Sequence, residues 1–455
     1  MTALDPFERR PRAPNVAVPG ALGDAGPAPG APDDGAGPTL GPPAPRRTRR
    51  RRALVVLAVL GPGLIAANAG NDAGGIATYA SAGAQFGYRT LFLMVLVTVA
   101  LVVVQEMSAR LGAFTGEGLV SLIREQFPLR AAALAVVCLI VANLGLVVSE
   151  FAGVGAAFEL FGVSRYLSVP IAALVLWAMV VFGSYRYAER MFLMLGLAFI
   201  AYPVAAILGH PRWAAVGAQT AFPHFVASEP FLILAVAIVG TTITPYMQLY
   251  QAAAVADRGL GPEDYPLVRL DTIVGTIAAE IVSMAIIIAT AAVIGGTGAL
   301  GSAEDAAKAL EPVVGSAAKA LFGIGLLGAS ALAAAVVPLS TAYAISEAAG
   351  VERSVSSKFT EAPVFLGLFT AQIVIGAAVA LAPGNLIKLL INTQVLNGLI
   401  APVILGFILV LANRREVLGD AVNGPRFRVV ATICVAVVSL LAVAVVVQTV
   451  ASWIR

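Results

Sequence analysis

One aspartate lies in the middle of an otherwise uncharged apolar segment, residues 61–79 (GPGLIAANAGNDAGGIATY). This residue is Asp72, with Gly70 before it and Gly74 and Gly75 after it. A carboxylate at membrane depth is costly, so it persists mainly where it faces a cavity or a ligand. Glycine allows the backbone to leave the helix and to turn its carbonyl oxygens toward the same ligand. Carboxylate and carbonyl oxygens together are typical of a site for a hard cation.

A second polar interruption occurs in residues 240–246 (GTTITPY). Pro245 removes a backbone donor there, and the hydroxyls of Thr241, Thr242 and Thr244 can hydrogen-bond the groups that a broken helix leaves free. Taken alone, either segment has an alternative interpretation, because Gly and Pro also kink membrane helices without breaking them.

The rest of the chain must position these two segments. Of its 455 residues, 59% are hydrophobic and 12% are charged, which is too apolar for a soluble protein of this length. Apolar runs of about 20 residues recur, each long enough to cross roughly 30 Å of hydrocarbon. The sequence therefore predicts an all-α polytopic membrane protein. We predict eleven spans, at residues 53–84, 90–112, 131–161, 166–183, 190–209, 230–258, 268–296, 317–349, 361–382, 386–412 and 427–451.

The two interrupted segments fall in the first and the sixth predicted spans, five spans apart. Broken helices in corresponding positions of two halves point to an inverted-repeat transporter with its binding site at the midplane. We predict a transporter domain at residues 53–452, with repeat one at 53–209, repeat two at 230–412 and an extra helix at 427–451.

The N-terminal segment differs from the rest in composition. Residues 1–45 are rich in Pro, Gly, Ala and Asp, so we predict a disordered tail over residues 1–52. The tail ends in an arginine cluster at 46–52 (RRTRRRR), and positive charge marks the cytoplasmic side of a membrane. We therefore predict a cytoplasmic N-terminus and, with an odd number of spans, an extracellular C-terminus in the cell membrane. The loops on the side of the cluster carry Arg124, Arg130, Arg186, Arg190, Arg258, Arg269, Arg353, Lys358, Arg414, Arg415, Arg426 and Arg428.

Cysteine and histidine give no basis for a soft metal site or an enzyme. Cys138 and Cys434 both lie inside apolar spans, and the two histidines are His210 and His224. This composition argues against a disulfide framework, a Cys/His metal cluster and an intramembrane enzyme. We expect no enzymatic activity and no resident cofactor.

The chain resembles the NRAMP family of divalent-metal transporters over residues 53–412. The resemblance implies a LeuT-like fold, an inverted repeat of five plus five helices with helices one and six broken, here with an eleventh helix. The matching motifs are Gly61-Pro62, Asp72, Gly74, Ile76-Ala77-Thr78, residues 83–88 (GAQFGY), Gln105, residues 109–112 (ARLG), Thr115-Gly116, Gly240, Thr242, Pro245 and Asp271-Thr272.

The chain also departs from the family at positions that bear on chemistry. The family's Asp-Pro-Gly-Asn ends in Gly75 here, so the asparagine amide is replaced by a hydrogen atom and the site widens. Thr244 stands where the family has a methionine, and Tyr246 stands where it has a histidine. In the third span, a family Asp with a Glu three residues later reads Glu150 and Gly153. This pattern is similar to the NRAMP-related magnesium transporters, which lack the methionine and proton coupling.

The candidate metal ligands are oxygen atoms. Gln394 matches a glutamine that reaches the metal in the family, and its alternative role is a helix-to-helix hydrogen bond. The alternative for Thr241 and Thr244 is a hydrogen bond to the preceding helical turn. The full candidate set is Asp72, the backbone near Ala69 and Gly70, Gly75, Thr241, Thr244 and Gln394. The candidate ion pathway comprises Glu150, Glu280, Tyr246 and Asn397, whereas Glu106, Glu159 and Glu347 are expected near helix ends.

We predict uptake of Mg²⁺, and also Mn²⁺, by alternating access without proton coupling. Mg²⁺ prefers oxygen ligands and usually keeps several waters, which suits one carboxylate and a widened site. The alternatives are a proton-coupled Mn²⁺/Fe²⁺ importer and, more distantly, a sodium-coupled amino-acid carrier of the same architecture. The expected partners are the transported metal ion and the lipid bilayer, with no nucleic acid. A monomer is compatible with the sequence, which does not set the oligomeric state.

Overall fold

The computed structural model describes residues 71–182, 201–226, 228–349 and 362–454 of the chain. All regular secondary structure in these ranges is helical. The α-helices are α1 (Ala73–Phe86), α2 (Leu91–Thr115), α3 (Leu119–Gln126), α4 (Leu129–Glu159), α5 (Arg165–Val181), α6 (Ala201–Leu208), α7 (Trp213–Ala221), α8 (Glu229–Thr242), α9 (Pro245–Asp257), α10 (Tyr265–Ile294), α11 (Ala303–Ala307), α12 (Glu311–Val314), α13 (Ala318–Ala349), α14 (Pro363–Ala380), α15 (Leu386–Ala412), α16 (Arg415–Leu418) and α17 (Pro425–Ile454).

Several predictions concern residues outside these ranges. The tail 1–52 with its arginine cluster, the first part of span one with Ala69 and Gly70, and most of span five are among them. The division into tail, two repeats and extra helix therefore stays a prediction. Four of the loop cations, Arg186, Arg190, Arg353 and Lys358, also lie outside the described residues.

The long helices coincide with the predicted spans. Eight segments of the described residues are long and apolar enough to cross a membrane, and the shorter apolar helix Arg165–Val181 coincides with span four. Span ten, predicted at residues 386–412, is α15. Span eleven is α17, which begins two residues earlier and ends three residues later than predicted. Of span five, the structure describes the last part as α6.

The sixth span is broken where its sequence predicts. Helix α8 ends at Thr242, Ile243 and Thr244 are not helical, and α9 begins at Pro245. Ile243 has φ −111° and ψ 57°, and Thr244 is extended at φ −68° and ψ 139°. Proline suits the first position of a helix because its fixed φ fits and its missing N–H would be unbonded there. The prediction of a break at 240–246 is therefore confirmed.

The described part of span one begins with a helix start inside the apolar segment. Helix α1 starts at Ala73, directly after Asp72. It lies at the centre of the molecule and packs against α4, α8, α10 and α15. The start of α1 is thus enclosed by long helices of the bundle.

Two glycines bring α8 and α15 into backbone contact. A β-carbon added to Gly240 of α8 would collide with the carbonyl oxygen of Gln394 and the backbone nitrogen of Gly398. A β-carbon added to Gly398 of α15 would collide with the carbonyl oxygen of Val236. Small residues permit such close approach between membrane helices. This contact places Thr241, next to Gly240, beside the turn of α15 that carries Gln394.

One acidic residue lies elsewhere than expected. Glu106 is expected near a helix end, but it lies inside α2 and is 4% exposed. Its burial is explained by an ion pair with Arg110, with 3.1 Å between Oε2 and the guanidinium. Glu159 is the last residue of α4 and Glu347 lies in the last turn of α13, both as expected. The structure describes the backbone of Glu347 but not its side chain.

Candidate metal site

Asp72 is held at the start of α1. It is the N-cap, with extended backbone at φ −71° and ψ 176°, and its Oδ1 accepts a hydrogen bond of 2.6 Å from the Gly75 N–H. The Gly74 N–H lies beside the same carboxylate. Asp72 is 6% exposed, and the partial positive charge of the helix start stabilises its negative charge. The helix start therefore fixes a buried carboxylate inside the bundle.

Gln394 reaches Asp72 from α15. Its amide lies beside the Asp72 carboxylate and against Gly74, where an added β-carbon would collide with Gln394 Nε2. The same β-carbon would lie 2.6 Å from Ser149 Oγ of α4. Gln394 is fully buried, and neither atom of its amide makes a hydrogen bond of good geometry. The glutamine thus lies beside Asp72, with an amide oxygen that has no hydrogen-bond partner, and its role as a metal ligand stays a prediction.

The two threonines at the break of the sixth span have unpaired hydroxyls. The Oγ1 atoms of Thr241 and Thr244 are buried and have no hydrogen-bond partner. The alternative role, a bond to the preceding turn, is absent for both, whereas Thr272 makes that bond to the Val268 carbonyl at 2.8 Å. A buried polar group without a partner costs free energy, so each one calls for an explanation. A bound cation with its waters would provide a partner for each hydroxyl and would explain why both are buried.

The structure brings two further carboxylates close to the site. Glu150 of α4 is fully buried beside the Ala73 N–H and interacts electrostatically with Asp72. Neither carboxyl oxygen of Glu150 has a well-formed hydrogen bond. Glu280 of α10 is 3% exposed, interacts electrostatically with Tyr79, and keeps Oε2 unpaired. The two candidate pathway acids therefore come from two different helices that both pack against α1.

Two hydrogen bonds that the sequence analysis missed join α1 and the preceding Asn71 to neighbouring helices. The Tyr79 hydroxyl and Thr242 Oγ1 are 2.8 Å apart, which links α1 to the end of α8. Ser283 of α10 donates to Asn71 Oδ1 at 3.2 Å. The signal was present for Tyr79, because it follows Asp72 by seven residues, which is two helical turns on one face.

The remaining predicted residues are placed less centrally. Tyr246 is the second residue of α9, and its ring lies 6.1 Å from that of Tyr250. Asn397 donates to the Thr393 carbonyl at 3.0 Å and keeps its Oδ1 unpaired. Gly75 contributes its N–H to Asp72, and Ala69 lies outside the described residues.

The position of Gly153 is closed by its neighbours. A β-carbon added there would collide with Ser330 Oγ of α13 and with the Ala73 methyl group. The Oγ atom of Ser330 is itself buried without a partner. The family has glutamate at this position. A carboxylate side chain here would require α4 to move away from α13 and from α1.

The donor set around Asp72 consists of hard oxygen atoms. The Gln394 amide and Glu150 lie beside the capped carboxylate, and the break of the sixth span adds the two unpaired hydroxyls. Within the described ranges, no group of three or more His, Cys, Asp and Glu residues is arranged to hold a metal ion. The arrangement suits a cation that keeps part of its water shell, such as Mg²⁺ or Mn²⁺, better than a fully dehydrated soft metal.

Comparison with known proteins places the chain in a family. The Nramp family model, described as "Natural resistance-associated macrophage protein-like", matches residues 63–448. The divalent metal cation transporter MntH of Aeromonas hydrophila subsp. hydrophila is 28% identical over 392 residues, covering 84% of this chain and 93% of that protein. The protein of the same name from Ralstonia nicotianae is 35% identical over 298 residues, covering 60% of this chain and 65% of that protein.

Solved structures confirm the predicted architecture. A manganese transporter of Eremococcus coleocola superposes with a TM-score of 0.73 at 20% identity, covering 89% of each chain. Mhp1, a nucleobase-cation-symport-1 family transporter, superposes in its inward-facing form with a TM-score of 0.53 at 14% identity, covering 86% of this chain and 91% of that one. These likenesses establish the LeuT-like fold, in which the break of the sixth helix lies among the described residues. Together with the match of the family model to most of the sequence, they lead to one conclusion: the chain belongs to the Nramp family.

Proposed function

We propose that the chain transports divalent metal ions through the Asp72 site, with Mg²⁺ and Mn²⁺ as its cargo. The observation that carries the proposal is the set of buried, unpaired polar atoms at the break of the sixth span and beside Asp72: Thr241 Oγ1, Thr244 Oγ1 and the Gln394 amide. They accompany a carboxylate that is already fixed in position. Relatives of the chain are named divalent metal cation transporters, which supports the same class of cargo.

The choice of Mg²⁺ rests on ligand softness. A methionine thioether favours transition metals over Mg²⁺, whose natural ligands are oxygen atoms. Thr244 offers a hydroxyl at the position of the family's methionine, at the first residue before α9. Mn²⁺ also accepts oxygen ligands, so the site is expected to discriminate only weakly between Mg²⁺ and Mn²⁺. On this basis the chain groups with the magnesium-transporting branch of the family.

We further propose that transport is not coupled to protons. Two observations support this: Tyr246 replaces the family's histidine, and the place of the family's third-helix glutamate is filled at Gly153 by Ser330 and Ala73. A driving force exists without protons, because a doubly charged ion gains about 4.6 kcal/mol per 100 mV on entering a negative interior.

Proton-coupled manganese import is the second candidate function. It is favoured by Glu150, which lies beside Asp72 with both oxygens unpaired and offers a different proton acceptor. The likeness to a transporter named for manganese supports the same cargo. A sodium-coupled amino-acid carrier is disfavoured, since the Asp72 carboxylate would repel a substrate carboxylate at the same helix start.

Flux measurements in liposomes separate these candidates. Purified protein is reconstituted with a pH dye inside, and Mg²⁺, Mn²⁺ or Ca²⁺ is supplied outside while valinomycin clamps the membrane potential. We expect entry of Mg²⁺ and Mn²⁺ that increases with a negative interior, without acidification. Acidification that scales with metal entry would refute the uncoupled mechanism and support the proton-coupled one. Transport of Mn²⁺ with no Mg²⁺ entry would refute the magnesium assignment.

A further inference from the structure

A cavity of about 330 Å³ lies at the ends of α2 and α10, away from the metal site. The segment leading into α17 forms its third wall. The loops at this end carry most of the chain's positive loop charges, which places it on the predicted cytoplasmic side. Its charged and aromatic lining residues are Glu106, Arg110, Phe114, Tyr265, Arg269 and Phe427.

The acidic member of the lining is already neutralised. Glu106 forms the ion pair with Arg110 and accepts a short hydrogen bond from the Tyr265 hydroxyl. Arg110 also donates to the Ala421 carbonyl at 3.0 Å and to the Asn423 side chain. The guanidinium is thereby fixed, 7% exposed, with its Nε still lacking a partner. The cavity wall is therefore rigid at this point.

A second guanidinium supplies unbalanced positive charge. Arg269 lines the same cavity, is exposed, and forms no ion pair with any residue in the described ranges. The charges of Glu106 and Arg110 cancel, so the lining as a whole carries the excess charge of Arg269. An anion is the ligand that this charge favours.

The remaining walls are apolar and aromatic. Phe114 contacts the Tyr265 ring edge-on at 5.3 Å, and the Arg110 guanidinium lies 5.2 Å from the centre of the Phe427 ring. A small soluble anion would gain nothing from such walls, whereas the upper part of a lipid, next to its headgroup, would bury apolar surface against them. The cytoplasmic leaflet is also the one that carries anionic lipids.

We propose that this cavity binds the phosphate headgroup of an anionic phospholipid, with Arg269 as its cationic partner and Phe114 and Phe427 as its apolar walls. A bound lipid would join α2, α10 and the start of α17 at the inner end of the bundle. The proposed lipid site is separate from the metal site, so its test does not depend on which ion the protein transports.

Native mass spectrometry of the full-length protein in detergent tests this site. Phosphatidylglycerol and phosphatidylcholine with the same acyl chains are titrated into the protein and into its Arg269→Gln, Arg269→Lys and Arg130→Gln variants. Arg130 is the matched control, since it is an exposed arginine at the same end of the molecule, near the start of α4. We expect phosphatidylglycerol to bind more tightly than phosphatidylcholine.

The variants give the decisive comparison. Arg269→Gln is expected to weaken phosphatidylglycerol binding by about fivefold, the effect of one cation near an anionic lipid surface. Arg269→Lys and Arg130→Gln should retain the affinity of the unmodified protein. Equal losses in Arg269→Gln and Arg130→Gln would overturn the site, because binding would then follow general surface charge. Displacement of the lipid by millimolar inorganic phosphate would also overturn the lipid assignment in favour of a soluble-anion site.

Discussion

At the scale of single residues, the site combines a fixed carboxylate with oxygen atoms that lack partners. Asp72 is bound through Oδ1 to the Gly75 N–H, whereas the hydroxyls of Thr241 and Thr244 are buried and unpaired. The carboxylate caps α1, and in the proposed function it also offers charge to a cation. A useful experiment at this position must separate the charge from the cap.

Asp72→Asn separates these roles. Asparagine is as good an N-cap as aspartate, so α1 should keep its start, but the negative charge is removed. We expect Mg²⁺ and Mn²⁺ uptake into liposomes to fall to the background of protein-free vesicles, with the melting temperature nearly unchanged. Asp72→Ala should abolish uptake as well and should also destabilise the protein by about 1 kcal/mol through loss of the cap. Near-normal uptake by Asp72→Asn would contradict the assignment of the site.

Thr244→Met is expected to shift selectivity toward softer metals. The thioether replaces a buried hydroxyl and favours Cd²⁺ and Mn²⁺ over Mg²⁺. We expect Cd²⁺ to inhibit Mn²⁺ uptake at a concentration about tenfold lower than in the unmodified protein, the effect of roughly 1.4 kcal/mol. Thr98→Met is the control, because the Thr98 hydroxyl bonds to the Met94 carbonyl at 2.7 Å within α2. An unchanged ratio of Mg²⁺ to Cd²⁺ inhibition would show that Thr244 does not line the site.

At the scale of helices, close contacts between helices fix the positions of the candidate metal ligands. Gly240 and Gly398 allow α8 and α15 to touch through their backbones, and Gly153 allows α4 to approach α13 and α1. These contacts position Thr241, Gln394 and Glu150 around the start of α1. The helices are long and apolar, but the glycines fix their spacing.

Gly240→Ala tests this spacing. The added methyl group would meet backbone atoms of α15, which cannot rotate away, so we expect destabilisation of about 1–3 kcal/mol and slower metal uptake. Gly406→Ala in α15 is the matched control, because an added β-carbon there has no neighbour within 4 Å and alanine favours helix. Melting temperatures of the two variants in the same detergent provide the measurement. Equal melting temperatures for the two variants would mean that α8 and α15 are not in backbone contact at Gly240.

Much of this arrangement is visible in the sequence, and some of it is not. The described spans and the break of the sixth span follow from apolar length, Gly and Pro, which act locally. The position of Glu106 inside α2 does not, because its burial depends on Arg110 and on Tyr265 of α10, 159 positions away in the chain. The Tyr79–Thr242 bond likewise joins residues separated by 163 positions. Such pairs exist only once the helices are packed.

At the scale of the whole molecule, topology follows from charge and from the number of spans. The arginine-rich loops meet at one end of the bundle, where Arg110, Arg269, Arg414 and Arg428 lie. Arg414 donates to the Gln126 carbonyl at 2.6 Å, and Arg428 donates to Asn413 at 3.0 Å, so these cations also tie the loops together. These cations therefore contribute to packing, and we predict that they also orient the chain in the membrane.

Protease protection tests the predicted orientation. A cleavable tag is added to each terminus, and protease is applied to right-side-out cells and to inverted vesicles. We expect the N-terminal tag to be cut in inverted vesicles alone and the C-terminal tag in intact cells alone, since an odd number of spans separates them. Cleavage of both tags in the same preparation would require an even number of spans.

The cap on Asp72 has a consequence for turnover. A carrier must release its cargo in every cycle, and a carboxylate left bare in an apolar interior would hold a cation for a long time. The Gly75 N–H, at 2.6 Å, is a partner that stays with the carboxylate when the ion departs. In the proposed function, release would leave the carboxylate with this hydrogen bond, which would lower the energetic barrier to dissociation relative to a carboxylate with no partner. The Gly75 N–H in the first turn of α1 would thus shorten the residence time of the ion that Asp72 attracts.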